Sequence, residues 1–402
     1  MGGMVIIGAG ECGTRAAFAL REQGWTGPVT LVGAENGLPY ERPPLSKPEG
    51  SGARRKAICD GAQLDGAGID YRPGLSATAI DRAARTVALS DGRALPYARL
   101  LLATGAEPRR LACPGAGLAH DFRTHLDAVR VFAAAASGAR VAIVGAGLIG
   151  MELAAVLRGR GASVDVIEAG PTVMARAVPP RLADRLLARH RAEGVRVHLD
   201  AGVSAITPKA VELADGRPIP ADLVVAAIGV VPRTGLAEAA GLATGNGILT
   251  DACLRTGDPD ILAAGDCAAV GIAPGRHLRQ ESWRSARAQA DAAARNMINP
   301  PAPFAATSWF WSDQYDLGLQ VAGHPAAHLP LVTRPLPNGG EVGFHLDEGR
   351  LVAAAGLGTG NAVARDIKLA EMLITAKACP DPDALADPGV NLKSLLKTLR
   401  AA

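Results

Sequence analysis

Closely spaced cysteine pairs are missing from this chain. Its six cysteines, Cys12, Cys59, Cys113, Cys253, Cys267 and Cys379, form no C-x-x-C and no C-x-x-x-x-C pair. That excludes a redox dithiol on those spacings, and without ligand spacing no iron–sulfur cluster is expected within the chain. Aromatics are few, with four Trp, four Tyr and six Phe in 402 residues. No apolar run approaches the roughly 18 residues of a membrane-spanning helix. Strong charge is absent too: 42 basic against 39 acidic residues leave +3, far from the basic face of a nucleic-acid binder. The 48 glycines and 28 prolines are spread along the chain, which fits many tight loops rather than collagen or low complexity. Met4 to Ile7 reads as a strand with no basic segment before it, so no export signal is expected and the expected compartment is the cytoplasm, with reduced thiols. Hydrophobic residues make up 48% of the chain and charged residues 20%, enough apolar side chain for sizeable cores. At roughly 100–200 residues per domain, two to four domains are expected.

The informative residues are glycines. Gly8-Ala9-Gly10-Glu11-Cys12-Gly13 follows the apolar run Met4–Ile7 and opens an Ala-rich helical stretch from about Thr14 to Gln23. A second strand, Val29 to Val32, ends just before Glu35. The pattern recurs 137 residues later: a strand from Arg140 to Val144, then Gly145-Ala146-Gly147-Leu148-Ile149-Gly150, a helix over Met151 to Arg158, and a strand from Ser163 to Ile167 ending at Glu168. In G-x-G-x-x-G the first glycine makes the turn and the second admits a pyrophosphate to the backbone. The third lets helix and strand pack, with the helix N-terminus facing the phosphates. The acid after the second strand accepts from ribose hydroxyls. Glu35 lies 27 residues after Gly8, and Glu168 lies 23 after Gly145, both near the expected spacing of about 20. A carboxylate at Glu168 repels a 2′-phosphate and favours NAD(H), although Arg158 and Arg160 stand on the same helix.

Two further segments read as strands running into loops, Arg99 to Ala103 before Thr104-Gly105 and Leu223 to Ile228 before Gly229. Ile261 to Asp266 reads as a strand ending in a Gly265-Asp266 turn. A carboxylate there suits either a ligand contact or a plain turn. From about Ser308 the character changes. Trp309, Phe310, Trp311 and Tyr315 concentrate the scarce aromatics. Strand-like pieces follow at Gly318 to Val321, Gly343 to Leu346 and Leu351 to Ala355, then helical stretches near Ala362 to Ala376 and Val390 to Leu399. The fold class is therefore α/β, with two Rossmann-like dinucleotide-binding domains and a small α+β C-terminal domain. The expected division is 1–110 and 241–307 for an interrupted first dinucleotide domain, 111–240 for the second, and 308–402 for the C-terminal domain.

Several segments carry a family resemblance. They are Tyr40-Glu41-Arg42-Pro43-Pro44-Leu45-Ser46-Lys47; Leu102-Ala103-Thr104-Gly105-Ala106 with Pro108-Arg109; the second glycine motif continued to Glu152; Ala264-Gly265-Asp266; Arg279-Gln280-Glu281-Ser282-Trp283; and Phe310-Trp311-Ser312-Asp313-Gln314-Tyr315. With these the chain resembles, over essentially its whole length, the FAD-dependent NADH:ferredoxin reductases of bacterial oxygenase systems, a putidaredoxin-reductase-like group within the glutathione-reductase-like two-dinucleotide flavoproteins. Disulfide reductases of this architecture carry a C-x-x-x-x-C pair on the first helix, where this chain has Cys12 alone. Single-cysteine peroxidases and NADH oxidases carry a reactive cysteine near the place of Pro43-Pro44, so a sulfenic-acid mechanism is also disfavoured.

The resemblance implies FAD and NADH as cofactors. It assigns Gly8, Gly10, Cys12, Gly13 and Glu35 to the adenosine half of FAD, with backbone near Ala77 at the adenine, and Arg42 to cofactor binding. Ala103, Thr104, Gly105, Arg123, Gly265 and Asp266 are further FAD contacts, and Trp283 lies against the flavin ring. Gly145, Gly147, Ile149, Gly150, Glu168 and Gly229 are assigned to NADH. Lys47 and Glu152 are the implied catalytic residues, paired with each other near flavin N5; read from the residues alone they are a loop lysine and an acid near a helix start. The implied reaction passes a hydride from NADH to the flavin, then single electrons to a [2Fe-2S] ferredoxin that feeds an oxygenase. An acidic ferredoxin calls for a basic docking face, for which Arg276, Arg279, Arg284 and Arg287 around Trp283, and Arg54-Arg55-Lys56, are candidates. Alternatives are a rubredoxin reductase, a diaphorase, or an NADH-responsive interaction protein like apoptosis-inducing factor. No metal site is expected.

Overall fold

Runs of β-branched and aliphatic residues flanked by glycine turns form the central strands, because strands buried on both faces need apolar side chains at most positions. The computed structural model describes residues 2–48, 50, 52–326, 328–337 and 339–399. The chain divides into two compact units. The first comprises residues 2–44, 55–107 and 230–306, and the second residues 45–54, 108–229 and 307–399.

In the first unit the strand order is Ile69–Pro73, Val29–Gly33, Gly3–Ile7, Ala94–Leu102, Thr86–Leu89, Ala77–Asp81, with Ile261–Ala263 also paired to Ala94–Leu102. The first four strands and Ile261–Ala263 are mutually parallel, with Ile6 opposite Leu101 and Leu262 opposite Leu101 on its other side. Thr86–Leu89 and Ala77–Asp81 continue antiparallel. Alternate side chains sort to opposite faces, as the two-residue period requires. Met4, Ile6, Leu31 and Leu101 pack with Ala16, Ala17, Leu20, Ala290 and Ala293 of the helices Glu11–Glu22 and Trp283–Ile298. Val5, Ile7, Val32, Leu100 and Leu102 face the other way, against Val87, Leu89 and Tyr97. The alanine faces let the two helices approach closely. Arg15 ties them, donating to Glu22 on its own helix and to Asp291 on the other, each at 2.6 Å.

The second unit holds a parallel sheet in the order Arg196–His198, Ser163–Ile167, Arg140–Val144, Leu223–Ala226, His120–Asp121. A three-stranded antiparallel sheet, Val203–Thr207, Ala210–Leu213 and Pro218–Pro220, covers Ala142, Val144, Ile167 and Val224 with Ile206, Val211 and Ile219. The C-terminal part is a five-stranded antiparallel sheet, ordered Trp309–Gln314, Leu317–Gly323, Arg350–Thr359, Glu341–Asp347, Leu331–Pro335. The helix Ala364–Thr375 lays Ile367, Ala370 and Leu373 on Val342, Phe344 and Ala354. The strands expected from Gly318, Gly343 and Leu351 and the two closing helices are present. The edge strand Leu331–Pro335 and the short helix Pro382–Ala386 were not expected. Proline at the end of an edge strand masks the pattern, and five residues are too few to show helical period. Buried Arg334 anchors that edge, donating to the carbonyls of Leu385, Asp387, Pro388 and Val390 at 3.2, 2.7, 3.2 and 2.6 Å.

Candidate dinucleotide sites

Both glycine loops close a strand–turn–helix unit, and in both the three glycines do different work. Gly8 has φ +111°, and a Cβ there would lie 2.1 Å from the Ala103 carbonyl oxygen. A Cβ on Gly13 would lie 1.8 Å from the Gly8 oxygen. The second unit repeats this, with Gly145 (φ +104°) 2.5 Å from the Ala227 oxygen and Gly150 2.1 Å from the Gly145 oxygen. Gly10 and Gly147, the middle glycines, would put a Cβ into space open to 4 Å. They are also the N-caps of Glu11–Glu22 and Leu148–Gly159, and neither cap supplies a side-chain hydrogen bond. Side chains of Asp60, Thr124, Ser282 and Asp381 cap four other helices, while Pro180–Ala192, Gly235–Ala239 and Ala364–Thr375 also start without one but follow no glycine turn of this kind. A helix start without a side-chain cap, facing open backbone, suits the pyrophosphate of a dinucleotide. Both loops therefore fit the group that the motif implies.

The acids after the second strands are held differently. Glu35 Oε2 accepts from the Tyr40 hydroxyl at 2.5 Å and Oε1 from Arg42 at 2.9 Å; Arg42 and Arg55 also lie over the Tyr40 ring. Among the described residues Glu168 is held by backbone, Oε2 accepting from Ala146 N at 2.8 Å and Oε1 from Gly170 N at 2.9 Å. Each Glu168 oxygen retains a lone pair for a ribose hydroxyl. The arginines that complicate its cofactor preference are engaged elsewhere: Arg158 donates to the Glu193 carbonyl at 2.6 Å, and Arg160 lies over Phe132. Gly229 (φ +98°) follows the strand Leu223–Ala226, and Ile149 is an exposed apolar side chain in the first turn after Gly147.

Around the first loop, Ala103 N donates to the Ile7 carbonyl at 2.8 Å, and Thr104 Oγ1 to the Arg233 carbonyl at 2.7 Å. Gly105 turns with φ +70°. Gly265 and Asp266 form a short 3-10 turn after Ile261–Ala263. Fully buried Gln289 accepts from Gly265 N at 2.9 Å and donates to Ser285 Oγ at 3.0 Å. Cys12 and Cys267 are both buried, and burial pushes both thiols up. Trp283 begins its helix behind the Ser282 cap, with Arg287 over its ring. Ala77 opens an edge strand, and Arg123, in the second unit, is half-buried just before the helix His125–Ala134.

Glu11, inside the first glycine motif, is a site residue that the motif reading passed over. An acid in this first turn would repel a phosphate, and Arg287 offsets it at 2.9 Å. Burial raises the Glu11 pKa, and Arg287 and Trp283 oppose that rise. Of the arginines expected to dock a partner, Arg287 is thus committed to Glu11, while nearly buried Arg279 pairs with Glu281. Arg276 is exposed.

In the second unit the expected Lys47–Glu152 pair is replaced by another arrangement. The Lys47 ammonium pairs with Asp313 and lies 5.1 Å from the Trp311 ring centroid. Glu152 instead accepts from Ser46 Oγ at 2.7 Å, Ser312 Oγ at 2.8 Å and Asp313 N at 3.1 Å. Strand Trp309–Gln314 supplies both a counter-ion for Lys47 and donors for Glu152, so the two side chains are satisfied separately. Among the described residues no group of three or more metal-ligating side chains is present, and no helix is long and apolar enough to cross a membrane.

Two dinucleotide loops on two parallel sheets, with an antiparallel C-terminal sheet, define a two-dinucleotide oxidoreductase. Residues 3–290 match the pyridine nucleotide-disulphide oxidoreductase family and residues 309–396 the reductase C-terminal family. The chain is 41% identical to the ferredoxin–NAD(+) reductase component of the anthranilate 1,2-dioxygenase system of Burkholderia cepacia, over 98% of each chain. It is 38% identical to rhodocoxin reductase of Rhodococcus erythropolis, over 94% of this chain and 92% of that one. Its fold matches a ferredoxin reductase of Rhodopseudomonas palustris with a TM-score of 0.93, 33% identity and coverage of 98% and 99%. It matches putidaredoxin reductase in its covalent complex with putidaredoxin with a TM-score of 0.91, 32% identity and coverage of 100% and 99%. The chain belongs to the pyridine nucleotide-disulphide oxidoreductases, in the group of ferredoxin–NAD(+) reductases of oxygenase systems. Enzymes of this group use FAD and NAD(H).

Proposed function

We propose that this protein oxidises NADH and passes the electrons singly to a [2Fe-2S] ferredoxin that feeds an oxygenase. The observation that carries the reading is the duplicated glycine loop, each with an open middle glycine at a helix start that has no side-chain cap. FAD, when bound, supplies a hydride acceptor and a one-electron donor in one group.

The chain's own residues bind, orient and balance charge. Gly8, Gly10 and Gly13 give one pyrophosphate access to backbone N–H groups, with Arg287 cancelling Glu11 beside it. Glu35, fixed by Tyr40 and Arg42, presents its remaining lone pairs to a ribose. Cys12, Ala77, Ala103 to Gly105, Arg123, Gly265, Asp266 and Trp283 complete the proposed FAD set. Gly145, Gly147, Ile149, Gly150, Glu168 and Gly229 are the proposed NADH set, with Glu168 selecting against a 2′-phosphate. Lys47 and Glu152 are the proposed catalytic residues, the lysine bringing positive charge and the glutamate a fixed acceptor. Residues 1–110 and 241–307 form the proposed FAD domain, 111–240 the NAD domain and 308–402 the C-terminal domain. The ferredoxin docks on a basic face to which Arg276 and Arg284 contribute. NADH is held in the cytoplasm, and that is the proposed compartment.

The experiment is stopped-flow reduction of the purified yellow protein by NADH, with NADPH alongside, followed by mixing with a [2Fe-2S] ferredoxin. Fast bleaching by NADH and fast reoxidation by the ferredoxin are the expected result. A protein that purifies without flavin, or that holds its electrons for minutes, overturns the reading.

A further inference from the structure

Glu152 stands at one end of a continuous hydrogen-bonded chain that runs through the second unit to His190 and Tyr315. Its direction follows from elementary donor counting. A carboxylate only accepts, and Glu152 takes bonds from Ser46 Oγ, Ser312 Oγ and Asp313 N. Ser312 has a single hydroxyl proton, which it gives to Glu152. It must therefore accept from Gln314 Nε2, 3.1 Å away. That orients the Gln314 amide, whose other N–H lies toward Met174 Sδ at 3.6 Å. Gln314 Oε1 then faces His190 Nε2 at 2.9 Å. A carbonyl oxygen cannot donate, so Nε2 carries the proton. Burial lowers the His190 pKa and favours the neutral ring, which leaves Nδ1 bare to accept from the Tyr315 hydroxyl at 3.1 Å. Every donor in the chain points toward Glu152.

This arrangement is expensive to build. Ser312, Gln314 and His190 are each fully buried, where a polar group is tolerated only when its bonds are made. Met174 (φ +52°), which touches the chain, and Tyr315 (φ +58°), at its far end, lie in the left-handed region that residues other than glycine seldom occupy. The charged groups around it are Lys47 and Asp313 at the Glu152 end, and Arg158, Arg189, Glu193 and Asp316 near Tyr315 and His190. Arg189 also lies over the Tyr315 ring.

We infer that Ser312, Gln314, His190 and Tyr315 are positioning residues for the reduction of the flavin by NADH, acting as a one-way relay of donors that holds the Glu152 carboxylate in one orientation. The inference rests on the proposed reading of Glu152 as a catalytic residue. Glu152 lies on the helix that opens at Gly147, so its orientation bears on a nucleotide seated there.

Two measurements on the flavin-loaded enzyme test this. In the first, 15N-labelled histidine is observed by NMR without NADH, and the His190 signals are assigned by their loss in His190→Asn. A protonated Nε2 with a bare Nδ1 is expected; the opposite tautomer, or a doubly protonated ring, overturns the direction of the relay. In the second, Ser312→Ala and Gln314→Glu are compared with the parent for flavin reduction by NADH and for melting temperature. Gln314→Glu keeps the shape and the bond to His190 but removes the donor to Ser312. Ser312→Ala is expected to slow reduction about tenfold or more, the value of a hydrogen bond to a charged group, and Gln314→Glu about two- to tenfold, the value of a neutral one. Glu152→Gln separates the two layers. If Glu152→Gln slows reduction while both relay variants run at the parent rate, the relay inference is wrong. If Glu152→Gln itself runs at the parent rate, the reading of Glu152 fails.

Discussion

Gly147 and Gly150 stand three residues apart in one loop, and the structure predicts opposite consequences for adding the same methyl group to each. At Gly150 the added carbon would sit 2.1 Å from the Gly145 carbonyl oxygen and 3.3 Å from Ala227 Cβ. The Gly145 backbone must move and Ala227 must give slightly, so Gly150→Ala is expected to cost about 2–3 kcal/mol, in the range of an overpacked core. At Gly147 the carbon meets nothing within 4 Å, and φ −75°, ψ −177° is open to alanine. Less unfolded-state entropy favours alanine and a poorer N-cap disfavours it, so Gly147→Ala is expected to change stability by less than about 1 kcal/mol. The same methyl covers the path to the helix N–H groups. Losing one hydrogen bond between a phosphate and that helix start is worth about 1.5–3 kcal/mol, which weakens NADH binding about 10- to 100-fold. The assay is thermal unfolding without nucleotide, paired with NADH titration of the rate of flavin reduction. A Gly147→Ala protein that melts like the parent and binds NADH equally well would falsify the assignment of that face to the dinucleotide. A Gly150→Ala protein of parental stability would refute the packing argument.

Other perturbations have equally definite outcomes. Arg334→Ala removes a buried cation from four carbonyls at once and is expected to destabilise the C-terminal part by about 3 kcal/mol or more, seen as a lower melting temperature; an unchanged one would contradict its anchoring role. Burial lowers the pKa values of His190, His324 and His345. The unfolded chain therefore takes up protons first, so their contribution to stability is complete above the unfolded value of about 6.5 and is lost as the pH falls through the lower folded values. Melting temperature should drop on acidification from about pH 7 to 5, and His190→Asn should flatten part of that slope; a slope equally steep in His190→Asn would remove His190 from the account. Arg276→Glu should raise the KM for an acidic ferredoxin, most strongly at low salt, while NADH turnover with ferricyanide stays at the parent value; an unchanged KM at low salt excludes Arg276 from the docking face.

Much of this was open to a reader of the residues alone. The strands Arg140–Val144 and Ser163–Ile167 fall where their apolar runs fall, because a doubly buried parallel strand is apolar at most positions; buried Asp165 is tolerated because Arg196 and His198 pair with it. The two helices after the glycine motifs start earlier than their apolar pattern suggests, at Glu11 and Leu148, since Gly10 and Gly147 serve as caps while their own helices begin inside the motif. Glu11 escaped notice because a polar residue in a motif's variable position carries no periodic signal. Its importance comes from Arg287, 276 residues away.

What local sequence determined was whatever one segment can satisfy within itself: the two turn–helix units, whose glycines answer to steric limits a few residues away, and the apolar strands beside them. Tertiary structure decided how charges and protons are shared. Lys47 and Glu152 were expected as a pair, yet strand Trp309–Gln314 offers Asp313 to the lysine and Ser312 to the glutamate. It also seats Gln314 between Ser312 and His190. A carboxylate, an amide and an imidazole each accept several partners of nearly equal energy. Only the placement of distant segments in one fold removes that degeneracy, and it does so through contacts that no spacing along the chain encodes.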